Sequence, residues 1–402
     1  MADQHPILIV GGGLVGASLA IALARAGIDA ALVEASAPGA LPAVFDERNL
    51  SFAEATVHAL TALGVLQKLH APGGAIREIH VSRAGDFGRA KLAARDYGRD
   101  AFGQVVVARD FGEALEARLE ELAALVRYRP MRFVGFDGIE DGWRRVRLAG
   151  PEGERVARAR LVVGADGADS AVRSALGIDA DIHDYAQTLF VARLRTARAP
   201  DGHAFERLTA TGPTALLPRG DRHYGLVHGV ATREADAVAA LDDAAFLARV
   251  QDVFGWRAGR FLAVGTRSRH APRRVVAQRC VDARAVVIGN AAQSVHPIGA
   301  QGFNLGLRDA LTLAECVAAA ADPGAPEVLA RYAERRREDR TRTLAFSDGL
   351  ARLTANAAPL LRPLRSLGLL AIDRDSALQA MLAGGAMGYR GDVPALCRGA
   401  AA

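Results

Sequence analysis

The chain is short of cysteine, lysine and long apolar runs, and each shortage excludes something. Its three cysteines among 402 residues, Cys280, Cys316 and Cys397, have no CxxC spacing. That excludes a disulfide framework and a cysteine zinc site and predicts reduced thiols. Lys68 and Lys91 are the only lysines, so the net charge of +5 rests almost wholly on arginine. An arginine bias of this kind records a GC-rich genome more readily than a nucleic-acid surface. With no zinc-finger spacing or RNP-type aromatic motif, nucleic-acid binding is not expected. No stretch approaches the roughly 18 uninterrupted apolar residues of a membrane span, and the N-terminus shows no basic flank with a cleavage site. The expectation is a cytoplasmic protein whose membrane contact, if any, is peripheral at the inner membrane. No His, Asp and Glu grouping has metal-ligand spacing, so no metal is expected, and no GxSxG elbow points to covalent catalysis.

What remains is ample for a folded enzyme. Half the residues are hydrophobic and 24% are charged, and the mean hydropathy is +0.10, which suits a sizeable core. The length suits two interlocked domains at roughly 100–200 residues each. The 42 glycines are the more informative surplus, because several end predicted strands. Ile7-Leu8-Ile9-Val10 runs into Gly11-Gly12-Gly13-Leu14-Val15-Gly16, then a helical stretch to Gly27, then Ala30-Ala31-Leu32-Val33 ending in Glu34. This is the order of a βαβ unit. Its three spaced glycines, Gly11, Gly13 and Gly16, serve a tight turn, close approach to a diphosphate and close helix packing. Glu34 sits where a carboxylate accepts ribose hydroxyls and repels a 2′-phosphate, leaving FAD or NAD as occupant.

Further along, the spacing predicts a helix over 51–69, extended chain over 76–107 and a helix over 109–125. Residues 126–163 read as short strands with turns at Asp137-Gly138 and Asp141-Gly142. Over 185–275, extended segments surround a helix near 242–254, and a mostly helical tail follows Ala325 with breaks at Pro359 and Pro363. Two later segments favour FAD over NAD: Val162-Val163-Gly164-Ala165-Asp166-Gly167 and Val287-Ile288-Gly289-Asn290-Ala291-Ala292 each set a polar pair after a buried strand. A long FAD needs such groups for its ribityl chain and ring. The loop Pro297-Ile298-Gly299-Ala300-Gln301-Gly302-Phe303-Asn304 opens a helix whose N–H groups and dipole can face the flavin N1–C2 carbonyl region.

These three segments resemble those of the class A flavoprotein aromatic monooxygenases. The runs from Gly289 through His296-Pro297 to Asp309, with Ile79-His80-Val81-Ser82 and Phe254-Gly255-Trp256-Arg257, are most similar to the ubiquinone-biosynthesis branch. Within it they resemble especially the hydroxylases of 2-octaprenyl-6-methoxyphenol. The resemblance covers about Ile7 to Val317, and weakly Met387-Gly388.

It implies an α/β fold: a Rossmann-like FAD-binding domain (1–75, 101–180 and 278–324), an inserted β-sheet substrate domain (76–100 and 181–277) and a C-terminal helical region (325–402). It also implies that Gly11, Gly13, Leu14, Val15, Gly16 and Glu34 hold the ADP half of FAD. Arg48, Arg109, Asp166, Gly289, Asn290, Pro297, Gly302, Phe303 and Asn304 would serve the rest of the cofactor, and His296 would move a proton. Asn290 stands where the wider superfamily has aspartate, and Asn49-Leu50-Ser51-Phe52 departs from the small, alanine-containing pattern there. The implied reaction is hydroxylation of a polyprenylated phenol by O₂ through a C4a-hydroperoxyflavin, with NAD(P)H or another electron donor. Membrane-surface contact and association with other ubiquinone-biosynthesis proteins go with it. The basic, leucine-rich stretch 350–382 suits a helix packed on the flavin domain, an anionic membrane surface or docking onto partner proteins. Two other readings stay open: a hydroxylase of small soluble aromatic acids, and a flavin-bound scaffold without activity.

Overall fold

A computed structural model describes residues 3–355 and 361–399. Five strands form a parallel sheet in the order Ala285–Val287, Gly153–Gly164, Asp3–Val10, Ala30–Val33 and Val126–Tyr128. The glycine-rich turn therefore leaves the carboxyl end of a central strand, where open α/β sheets bind ligands. Side chains alternate along that strand, so Ile7 and Ile9 enter one core while Leu8 and Val10 enter another. The first core takes the helices Leu14–Arg25, Ala108–Glu120 and Gly302–Ala318. The second is closed by an antiparallel meander, Arg132–Glu140, Trp143–Gly150 and the long Gly153–Gly164 strand.

A second sheet runs Phe261–Val264, Gln187–Thr196, Tyr224–Ala231, Gly212–Pro218, His203–Thr209, Glu78–Arg83 and Arg89–Ala93. Its pairings are antiparallel except between His203–Thr209 and Glu78–Arg83, which are far apart in sequence. One face buries Phe190, Leu216 and Leu226 against Phe246 and Phe254 of the helix Asp243–Phe254, which Asp242 caps through the Ala245 N–H. The other face lines a cavity. Two three-stranded sheets join the large ones: Asn49–Ala53, Gly103–Val107 and Gly74–Ala75, and Ala180–Asp184, Arg273–Ala277 and Gln293–Ser294.

Several expectations change in detail. Residues 49–53 are a strand and the helix spans Glu54–Ala62, because pairing with Gly103–Val107 overrides local helical period. Asp137-Gly138 is a bulge inside a strand, opposite Arg145, and the chain turns at Asp141-Gly142. Pro363 lies in the first turn of the helix Leu361–Arg374, where no intrahelical N–H bond is lost. Pro359 and Leu360 fall outside the described residues. Helices Pro326–Ala355 and Ser376–Met387 complete the C-terminal region, and no helix of the described residues is long and apolar enough to cross a membrane.

Candidate functional site

A cavity of about 930 Å³ extends from the glycine-rich turn to the second sheet. At one end lie Gly11, Gly13, Leu14, Val15 and Glu34; Arg48, Asp166, Asn290, Pro297, Gly302 and Phe303 line it further on. Segments as far apart in sequence as Gly11 and Phe303 are thus brought to one space. The other end is formed by apolar side chains of the sheet, among them Ile79, Leu189, Val191 and Val227.

The backbone of the turn is fixed by close approach. Gly11 has φ +106°, and a Cβ there would stand 2.5 Å from the Ala165 carbonyl oxygen; one on Gly16 would stand 1.9 Å from the Gly11 oxygen. Gly13 differs, since the nearest heavy atom to its Cβ position is Val44 Cγ1 at 3.6 Å. The protein would accommodate a Cβ that a ligand in the cavity would not. No side chain caps the helix that Gly13 opens, nor the helix that begins at Gly302. Two helix N-termini, with their N–H groups and positive dipole ends, therefore border one cavity. This arrangement fits FAD: the first terminus would hold the diphosphate and the second the electron-rich edge of the ring.

The polar side chains keep this frame in place. Glu34 accepts from the Gly12 N–H at 2.8 Å through Oε2 and from the Ser36 N–H at 2.7 Å through Oε1, and each oxygen retains a lone pair for a ribose hydroxyl. Asp166 accepts from Ser170 Oγ and from the Val172 N–H, tying its loop to the short helix Ala171–Ala175. Arg48 is held by Asp46 at 2.8 Å and donates to the Val44 carbonyl. Phe303 packs on Phe52 and Phe111, with ring centroids 5.3 Å from each.

Three of the expected cofactor residues lie behind the cavity wall and a fourth stands away from it. Gly16 packs on the turn as described, and Gly289 makes room for Val15, whose Cγ2 is 2.9 Å from where its Cβ would be. Asn304 uses both sides of its amide: Oδ1 accepts from the Ala53 N–H and Thr56 Oγ1, while Nδ2 donates to the Ser51 and Ala300 carbonyls. It positions the loop. Arg109 is not brought to the site; it stands on the surface at 3.1 Å from Glu47, both more than half exposed, where a pair contributes little.

His296 is placed as an anchor, which corrects the expectation of proton transfer. It is fully buried; its Nδ1 accepts from the Ile298 N–H, leaving Nε2 to donate to Gln187 Oε1 at 3.0 Å. Burial pushes its pKa down to about 4, so it is neutral with both nitrogens engaged. His228 is likewise buried against Thr214, at 2.9 Å. On the surface, His70 and Glu113 form an exposed pair beside Asp110.

Sequence reasoning missed two features. Behind the second helix N-terminus, Arg308 and Arg336 are buried with Asp309 and Asp339: Arg308 to Asp339 at 2.6 Å, Arg336 to Asp309 at 2.7 Å and to Asp339 at 2.8 Å. Asp309 also accepts from the Gly289 N–H at 3.1 Å, so the network bolts the Gly289-Asn290 loop to two helices. Burial alone would raise the Asp339 pKa, yet the two guanidiniums outweigh it and hold the carboxyl below its usual range. Arg308-Asp309 stood in the family phrase, but their partners Arg336 and Asp339 sit in a charged helix with no signal of burial. The second feature is Glu206, a carboxyl lining the sheet end.

Comparison with known proteins agrees with this geometry. The family described as FAD binding domain matches residues 4–347. The ubiquinone hydroxylase UbiL of Rhodospirillum rubrum is 35% identical over 387 residues, covering 95% of this chain and 89% of that protein. The 3-demethoxyubiquinol 3-hydroxylase of Escherichia coli is 29% identical and covers 93% and 96%. Among solved structures, p-nitrophenol 4-monooxygenase PnpA from Pseudomonas putida DLL-E4 superposes with a TM-score of 0.79 at 18% identity, covering 97% of this chain and all of that one, a likeness of fold. With its glycine turn, its two uncapped helix ends and these relatives, the chain belongs to the FAD-binding monooxygenase family, in the ubiquinone-hydroxylase branch, and its cofactor is FAD.

Proposed function

We propose that the protein hydroxylates the aromatic ring of a polyprenylated phenol in ubiquinone biosynthesis, using O₂ and electrons from NAD(P)H. The observation that carries this reading is the cavity itself, polar and open to backbone N–H groups at one end and apolar at the sheet end. Bound FAD supplies the oxygen-activating chemistry; the chain supplies orientation and exclusion of water. Gly11 to Val15 and Glu34 would hold the nucleotide, and Arg48, Asp166, Asn290 and the loop Pro297 to Phe303 would border the rest. An apolar sheet end favours a lipid-like ring over a small aromatic acid, whose carboxylate would meet Glu206 rather than a cation there.

A polyprenyl tail partitions into lipid at about 0.8 kcal/mol per methylene, so the enzyme meets its substrate at a membrane surface. Leu364, Leu367 and Met381 of the last two helices, and Phe87, whose N–H bonds Ser366 on one of them, are 57–70% exposed. Arg365, by contrast, is turned inward onto Asp86 at 3.0 Å, so the leucines rather than that arginine suit lipid contact. The FAD-loaded protein, given 2-farnesylphenol, NADPH and labelled O₂, is expected to place one labelled atom in the ring; label from water instead overturns the reading. Flotation with anionic liposomes is expected, and expected to fail for the Leu364→Glu/Leu367→Glu variant while FAD is retained.

A further inference from the structure

We infer that Glu206 is the catalytic base that takes the proton of the substrate's phenolic hydroxyl, because it is the one polar side chain set into the apolar sheet wall of the cavity. Resting on the functional reading above, this names a residue for its first chemical demand. The pairing register places Glu206 in a transverse row: Glu206 opposite Ala215, Ala215 opposite Val227, Val227 opposite Val191. Paired residues share a face of a sheet, and all four line the cavity. Across the five neighbouring strands from Glu78–Arg83 to Gln187–Thr196, every other lining side chain is a hydrocarbon, an aromatic ring or proline.

Among the described residues nothing bonds or pairs with its carboxyl. The adjacent Arg207 points to the opposite face, where it donates to the Val253 carbonyl at 2.8 Å. His270, on the strand beyond Gln187–Thr196, sits opposite Leu189 at the far edge of the wall. Burial pushes the Glu206 pKa up to about 7, with no neighbouring charge contributing. A carboxyl so placed is half protonated near neutrality and has its accepting oxygens free for a ligand. A carboxyl drawn partly out of water without a partner is costly to a fold, and such groups gather where chemistry needs them.

The step balances. The phenol O–H bond breaks, an O–H bond forms on the Glu206 carboxylate, and the electron pair stays on the phenol oxygen, from which it enriches the ring carbon that receives oxygen. When the hydroxylated ring releases its C–H proton to water and regains aromaticity, Glu206 returns its proton to the same oxygen. The proton released matches one consumed as the second atom of O₂ becomes water.

The test uses the full FAD-loaded chain, 2-farnesylphenol as probe, and the variants Glu206→Gln and Glu206→Asp. Rates are read from pH 5.5 to 9, alongside the ultraviolet phenolate band of the bound probe before any electron donor is added. For Glu206→Gln, kcat is expected to fall about 100-fold with KM changed less than about threefold, a loss typical of a missing general base. Its phenolate band and its rise in rate through pH 7 disappear, and Glu206→Asp restores part of each. FAD content and unfolding midpoint establish that the variants are folded. A Glu206→Gln enzyme within about twofold of the parent and with the same pH profile overturns the assignment, as does loss of rate with the phenolate band intact. If the parent enzyme leaves the probe unhydroxylated, the functional reading falls; the phenolate band, present in the parent and lost in Glu206→Gln, still decides the role of Glu206.

Discussion

Behind the nucleotide end of the cavity, Asp309 and Asp339 are buried among Arg308 and Arg336; at the sheet end, Glu206 lies among alanine and valine with no partner among the described residues. Both regions draw carboxyls away from water, fully for Asp309 and Asp339 and partly for Glu206, and the difference is what offsets the desolvation. In the first, bidentate Arg308 and bridging Arg336 offset it, hold the Asp339 carboxyl below its usual range and fix the Gly289 loop that borders the cofactor space. In the second, nothing repays it, and the group shifts its proton affinity instead. A paired buried acid holds structure, and an unpaired one facing a cavity is available to a ligand.

The comparison breaks most severely at Asp339. Its replacement by alanine leaves Arg308 buried without its carboxylate and should cost about 3–5 kcal/mol, read from chemical unfolding. A loss below about 1 kcal/mol would mean that the network is ornamental. Gly13→Ala tests the cofactor end differently: a Cβ there meets no protein atom closer than ordinary contact. The apoprotein should therefore unfold at the parent's midpoint while FAD affinity falls by about 100-fold or more, roughly 2.7 kcal/mol, in a titration. An unchanged affinity would place the diphosphate elsewhere.

Glu206→Gln gives the smallest change and has a fixed sign. The folded-state pKa lies above the ordinary value, so Glu206 penalises the folded state increasingly as pH rises from 4.5 to about 7. The glutamine variant should melt higher than the parent at pH 8, by about 2 °C, and the two should converge toward pH 4.5. A variant less stable at pH 8 would show that Glu206 has a stabilising partner.

Much of the nucleotide end was readable because its chemistry is local. Gly11 to Glu34 form one continuous βαβ unit, and the Asp166 and Gly289-Asn290 segments each follow a buried strand. Arg109 was misplaced because forty-eight arginines look alike in sequence and only packing sends this one to solvent. His296 was read as a proton carrier because a histidine beside a cofactor loop looks reactive; its neutral anchoring depends on Gln187, 109 residues away. The helix expected from Ser51 began later, since a strand partner 50 residues on was invisible to a local window.

The sequence by itself determined the class of cofactor and the βαβ frame, because glycine spacing and a terminal acid act on neighbours along the chain. It also determined the family, through phrases that persist as written. Tertiary structure alone decided which charges are paired and which are free. Arg308 meets Asp339 across two helices, and Glu206 meets an apolar wall because a parallel pairing joins His203–Thr209 to a strand over 100 residues earlier. Electrostatic fate depends on what surrounds a group in space, and no local pattern encodes the neighbours that a distant strand supplies.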